Sequence, residues 1–237
     1  MQRYFAKKKK DNYLVLDKND LHHIKTVMRM KSGDEIEIIY NKILYICKID
    51  DINSNKFSVV RECNKNNEME IELVVAVGLV KEQKMDLILQ KLTELGVSKI
   101  IPVMMERSIV KLDDKKKEKR RCRWQSICKE AAEQAKRNVI PVVEKVKALN
   151  ELTFSEDYLK MVCSVKERNN LINNYLQNNK NYAKMIFVIG PEGGISSLEE
   201  DFLNSLGYVS VSLGSRVLRV ETACIYVASI INFFSMG

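Results

Sequence analysis

Phe187-Val188-Ile189-Gly190-Pro191-Glu192-Gly193-Gly194-Ile195-Ser196 is the stretch from which the rest of the chain can be read. Met185 to Ile189 form an apolar run too short for a helix and suited to a strand buried on both faces. The glycines after it set a turn at the strand's carboxyl end, where open α/β sheets bind ligands. No Lys follows them, as it would in a triphosphate loop, and the G-x-G-x-x-G spacing of dinucleotide folds is absent. Bare backbone here lets a flat or compact ligand approach and exchange main-chain hydrogen bonds. A plain strand-to-helix turn would look the same in isolation.

Working outward, Leu213-Gly214-Ser215-Arg216-Val217-Leu218-Arg219-Val220-Glu221-Thr222-Ala223 also follows a strand, expected at Tyr208 to Leu213. Taken alone, its Arg and Glu residues read as solvated charge. Two polar loops at carboxyl ends of parallel strands, however, converge on one edge of the sheet. Further strands are expected at Leu73–Val80, Ile100–Met104 and Lys160–Val165. Helices are expected at Lys81–Leu95, stopped by Gly96, and at 115–136, 169–177, 197–206 and 222–234. This alternation predicts an α/β domain whose parallel sheet is covered on both faces. Residues 1–70 have another texture: short alternating runs at Tyr13–Leu16, Glu35–Tyr40, Ile43–Ile49 and Phe57–Val60 predict a small β-barrel or curled sheet. A helix capped by Asp20 is expected over 20–29, and Asn64–Glu68 reads as a linker.

The 237 residues are 46% hydrophobic and 30% charged, with nine Gly and three Pro, which excludes fibrous and wholly disordered classes. Leu73–Val80 and Ala223–Phe234, the longest apolar stretches, fall short of the ~20 residues of a membrane span. The opening Met1-Gln2-Arg3-Tyr4-Phe5 has no signal-peptide pattern, so a cytoplasmic protein is expected. Six Cys without a C-x-x-C pair and two His predict reduced thiols and no metal site. A net charge of +8 favours a polyanionic partner without separating RNA, DNA or a membrane surface. The basic runs are Lys7–Lys10 and Lys115–Arg123; the second is diluted by acids.

The two glycine-bearing strings together resemble the RsmE family, which methylates N3 of a uridine in 16S ribosomal RNA. Further landmarks of the same resemblance are Arg3-Tyr4-Phe5, His23 through Val27-Met28-Arg29-Met30 to Gly33-Asp34, Lys84 through Leu92-Thr93-Glu94-Leu95-Gly96, Glu106-Arg107-Ser108 and Glu130 to Arg137. The resemblance spans the whole chain. It implies a SPOUT methyltransferase domain over 71–237, with a trefoil knot at about 185–237, preceded by a PUA-like RNA-binding β-domain over 1–70. It implies S-adenosylmethionine as cofactor, held by Ile189, Gly190, Pro191, Glu192, Gly193, Gly194, Leu213, Gly214, Ser215, Val217, Leu218, Thr222 and Ala223. It also implies the small ribosomal subunit as partner and a homodimer formed through the last helix. Two rival readings share features of this one: a catalytically silent RNA-binding protein, and a SPOUT enzyme that modifies tRNA or a ribose hydroxyl.

Transfer of a sulfonium methyl to nitrogen needs in-line positioning more than covalent catalysis. Uracil N3 must lose a proton, yet residues 70–237 contain no His. Arg219 or Arg216 is therefore expected to support the developing anion, with Glu221 orienting an Arg or accepting the proton. For RNA contact the expected residues are Arg3, Tyr4, Arg29, Arg107, Glu130, Gln134 and Arg137, with the Lys7–Lys10 cluster favoured over the Lys115–Arg123 run. Glu130, Gln134 and Arg137 would share one helix face.

Overall fold

The computed structural model describes residues 1–235; the ends of the 71–237 and 185–237 spans, at 236 and 237, lie outside the described residues. Strands β1 (Arg3–Phe5), β2 (Lys8–Lys10), β3 (Tyr13–Val15), β4 (Glu35–Tyr40), β5 (Ile43–Asp51) and β6 (Lys56–Cys63) form a curled sheet in the order β1-β4-β5-β6-β3-β2. Its concave face closes over Leu14, Ile36, Ile38, Ile49 and Phe57, all fully buried. Between β3 and β4, helix α1 (Lys18–His22) starts two residues earlier than expected. Its cap is Asp17, whose carboxylate accepts from the Asp20 N–H at 2.9 Å. A π-turn over His23–Val27 then replaces the rest of the expected helix.

The second sheet contains β7 (Glu72–Gly78), β8 (Lys99–Met104), β9 (Val142–Val143), β10 (Lys147–Ala148), β11 (Tyr158–Cys163), β12 (Lys184–Ile189) and β13 (Val209–Val211). All its pairings are parallel, in the order β10-β8-β7-β12-β11-β13, with β9 beside β8. Side chains alternate between its faces. Leu73, Val75, Val77 and Phe187 point to one core, and Val74, Ala76, Ile186 and Val188 to the other. The first core takes helices α2 (Glu82–Glu94), α3 (Asp114–Gln134), α4 (Ile172–Gln177) and α6 (Val220–Ser235); the second takes α5 (Ser197–Ser205).

Two compact units result: Met69–Ala131 with Ile140–Gly237, and Met1–Glu68 with Ala132–Val139. The 132–139 segment explains two residues whose sequence reading does not hold. Helix α3 ends at Gln134 and Lys136 turns left-handed (φ +59°), so Arg137 is off the helix and shares no face with Glu130 and Gln134. Arg137, 3% exposed, pairs instead with Glu68, whose other donors are the Asn138 N–H (2.7 Å) and the Val139 N–H (3.0 Å). The Glu68 end of the expected linker is thus a structural anchor. Arg3, 2% exposed, donates to Glu37 (2.8 Å), to the carbonyls of Lys136 and Arg137 and to Asn138 Oδ1. Tyr4 is also buried, its hydroxyl 3.0 Å from His23 Nδ1.

Candidate active site at the carboxyl edge of the parallel sheet

Three loops leave the carboxyl ends of neighbouring strands β12, β11 and β13 and enclose a cavity of about 400 Å³. Ile189 to Gly194 form one wall, and Leu213, Gly214, Val217, Leu218 and Ala223 form another. Arg216 and Arg219 also line it, with exposed side chains that form no ion pair among the described residues. Ser215, Glu221 and Thr222 lie outside the lining. Glu221 holds one carboxylate oxygen, Oε2, buried without a hydrogen-bond partner in the first turn of α6. It orients neither arginine.

Sequence reasoning missed the third wall, the loop after β11: Cys163, Ser164, Val165, Glu167 and Arg168. The strand itself was legible, but its place between β12 and β13 was not. Glu167 shapes that loop by accepting from the Asn169 (2.7 Å) and Asn170 (3.0 Å) N–H groups. The loop is tied to the strand-β13 side by the Ser212 N–H on the Asn170 carbonyl (2.8 Å). Burial pushes the Cys163 thiol up to about 12 and raises that of Cys224 as well. Both are neutral thiols at physiological pH, so neither supplies a thiolate.

The glycine loop is fixed from two sides. Lys84 Nζ lies 3.0 Å from Glu192 Oε1. Burial raises the Glu192 carboxyl, but a backbone hydrogen bond and Lys84 outweigh it and hold the group below the usual carboxylate range. On the other side Arg107 Nη1 donates to the Gly193 carbonyl at 3.0 Å, and a Cβ on Gly193 would come within 2.9 Å of Arg107 Cβ. The neighbouring Glu106 N–H donates to Glu199 (2.7 Å), which with Ser196 forms the capping box of α5. Arg107, expected on RNA, is exposed and also braces the loop. Replacing it with Ala is expected to raise the KM for the cofactor severalfold and leave kcat within about twofold, because the loss of one exposed hydrogen bond costs ~0.5–1.5 kcal/mol. Arg107→Lys should recover part of the loss. A fall in kcat at unchanged cofactor KM would reject the brace.

Of the other expected RNA contacts, Arg29 is exposed with a left-handed backbone (φ +52°), and Glu130 and Gln134 are exposed on α3. These residues are not brought to the cavity lining.

The cavity suits a compact cofactor with an apolar ring. At Gly194 (φ +72°) and Gly214 (φ +116°) no atom lies within 4 Å of a built Cβ, so the main chain itself faces open space. Ile189, Leu213, Leu218 and Val220 add apolar surface.

Comparison with known proteins matches residues 67–232 to the RNA methyltransferase domain and residues 16–60 to the RNA methyltransferase PUA domain, leaving β1, β2 and β3 outside the latter. The ribosomal RNA small subunit methyltransferase E of Bacillus subtilis is 36% identical over 98% of this chain and 96% of its own. The chain belongs to the RsmE family. The Mesomycoplasma hyopneumoniae member is 33% identical over 95% of this chain and 96% of its own. A crystal structure of the Neisseria gonorrhoeae RsmE protein bound to S-adenosyl methionine superposes with a TM-score of 0.88 at 26% identity, covering 98% of this chain and 97% of that one. The RsmE fold thus accounts for both the curled sheet and the parallel sheet described above.

Proposed function

We propose that this chain transfers a methyl group from S-adenosylmethionine to N3 of a specific uridine in the 16S ribosomal RNA of the small subunit. The observation that carries the reading is the cavity between the two glycine-bearing loops, with unpaired arginines on its lining. When bound, S-adenosylmethionine supplies an electrophilic methyl carbon on a sulfonium. Ile189 to Gly194 and Leu213, Gly214, Val217, Leu218 and Ala223 would hold it, with Gly194 and Gly214 offering bare backbone and Arg107 and Lys84 keeping the first loop in place. Arg216 and Arg219 stabilise the negative charge that uracil gains as N3 gives up its proton. Glu221, its Oε2 buried in α6 outside the lining, is not within reach of that proton, which is left to water.

The N-terminal unit is assigned to RNA binding. Arg3, Tyr4 and Arg137 serve there by holding the unit together, and the exposed Arg29 remains a contact residue. The C-terminal strand order, with β11 between β12 and β13, is in keeping with the knot expected near 185–237. A homodimer is in keeping with α6, whose buried face (Val220, Cys224, Val227, Ile231) leaves Phe233 76% and Tyr226 42% exposed on the remainder. No described helix is long and apolar enough to cross a membrane, and a cytoplasmic location is proposed from the substrate.

The test is incubation with small subunits lacking the modification and radiolabelled S-adenosylmethionine, then mass spectrometry of the nucleosides. The expected product is 3-methyluridine. A different methylated nucleoside would move the specificity, and absence of cofactor binding would favour a silent RNA-binding protein. Arg219→Ala is expected to lower kcat by 10²-fold or more at saturating RNA and cofactor, in line with ~2.7–4 kcal/mol for one anion-stabilising donor. Full activity would remove it from the chemistry.

A further inference from the structure

The chain carries two basic runs, and only one of them lacks its own counter-ions. On α3 the run is largely self-neutralised: Lys116 pairs with Asp113, Lys117 with Asp114, Arg121 with Glu118, and Arg123 with Asp86 and Glu82. A polyanion would have to displace these carboxylates, which removes most of the gain from counter-ion release.

The hairpin formed by β2 and β3 is the opposite case. Lys8, Lys9 and Lys10 are exposed on a strand that pairs only with β3, at the edge of the curled sheet, and Lys7 precedes them. Lys9 is pinned, its ammonium 4.5 Å from the centre of the Tyr45 ring and 3.5 Å from its hydroxyl. Alternation along the strand puts Lys8 and Lys10 together on the other face. Lys7, Lys8 and Lys10 form no ion pair among the described residues. Asp11, the acid of the hairpin, sits in its turn at φ +50° and pairs with none of them. Like charges at this spacing repel one another and gain most from a ligand that is itself a row of regularly spaced negative charges.

We propose that the β2–β3 hairpin is a clamp for the phosphate backbone of RNA, with Lys8 and Lys10 as its contacts and Lys9 holding the strand against Tyr45. Single edge lysines discourage strand-to-strand association. A run of adjacent, uncompensated ones goes beyond that need and matches a polyphosphate. Because phosphates carry no sequence, the clamp adds affinity and leaves the choice of uridine to other parts of the protein. The inference deepens the proposed function by locating backbone contact, and it is tested without cofactor, so its failure is distinguishable from failure of methyl transfer.

The experiment measures binding of the full chain to a fluorescein-labelled RNA hairpin by anisotropy over a range of salt. Two double variants are compared with the parent: Lys8→Gln/Lys10→Gln in the hairpin and Lys116→Gln/Lys117→Gln on α3. Losing two phosphate contacts should flatten the slope of log K against log salt by about 1.4–1.8, from ~0.7–0.9 per contact. The same loss is expected for an RNA hairpin of unrelated sequence, and the α3 variant should stay near the parent. Thermal unfolding should be unchanged, as the substituted side chains are exposed. An unchanged slope, a loss confined to one RNA sequence, or an equal loss from the α3 variant would overturn the clamp. So would aggregation of the hairpin variant with undiminished RNA affinity, which would make these lysines edge protection. Unaltered RNA binding with lost binding to phosphatidylglycerol vesicles would overturn it in favour of a membrane surface.

Discussion

Gly78→Ala is expected to weaken S-adenosylmethionine binding by about 10- to 100-fold, although Gly78 does not line the cavity. It ends β7, and a Cβ built on it lies 2.5 Å from both Cδ and N of Pro191 and 3.1 Å from the carbonyl carbon of Gly190. Real Cβ atoms do not tolerate such separations, and backbone atoms cannot rotate away from them. Either β7 or the glycine loop must shift. Overpacking of this kind costs ~1–3 kcal/mol, and each 1.4 kcal/mol is tenfold in an equilibrium constant. The loop has little slack to absorb the shift: the Gly194 N–H closes it on the Pro191 carbonyl at 2.8 Å, and a Cβ on Gly190 would already approach Gly194 and Ile195 within 2.9 Å. Calorimetric titration of the cofactor checks this, with Gly207→Ala as control. That glycine (φ +83°) lies in the turn between α5 and β13, so its substitution strains the fold without touching the loop. Affinity retained in Gly78→Ala, or lost equally in both, would mean that β7 does not set the loop's position.

The second large effect is on stability. Glu68→Ala should cost the N-terminal unit about 3–5 kcal/mol, the range for removing one partner of a buried ion pair. Arg137 is 3% exposed, and the carboxylate also satisfies the N–H groups of Asn138 and Val139. Truncation therefore takes an acceptor from a buried guanidinium and strands two main-chain donors at once. Arg137→Ala should cost less, because Glu68 keeps those two donors. Denaturant unfolding, read by amide exchange within 132–139, separates this unit from the rest of the chain. A cost below ~1 kcal/mol would place the pair among ordinary surface ion pairs.

Much of the site was legible because its walls are continuous strings. Ile189 to Gly194 and Leu213 to Ala223 each lie within one strand-to-helix connection, so local pattern was enough to bring most of their residues to the cavity. What depended on strand order was not legible. The loop after β11 becomes a wall only because β11 lies between β12 and β13 in the sheet, and no local property of Ser164 to Arg168 records that. Acceptors on the main chain leave no trace either. The bond from Arg107 could not be foreseen, because its acceptor, the Gly193 carbonyl, belongs to a residue without a side chain. Arg3 beside an aromatic looked like an RNA contact for the same reason, its acceptors including the carbonyls of Lys136 and Arg137. In the fold, long periodic elements such as α2 and β12 were plain. The three-residue β1 and β2 and the two-residue β9 and β10 offer too few positions for a period to show.

The N-terminal unit borrows Ala132–Val139, and this has a consequence for synthesis. A chain leaving the ribosome presents Arg3 and Glu68 well before Lys136, Arg137 and Asn138 exist to receive them. Through that interval β1 has no carbonyls for its guanidinium, and Glu68 has no cation. The first-made unit is therefore completed only after β7, α2, β8 and α3 have been translated, which reverses the usual order in which the leading portion of a nascent chain folds first. A polypeptide released at residue 70 would be an unfinished fold rather than a free-standing module.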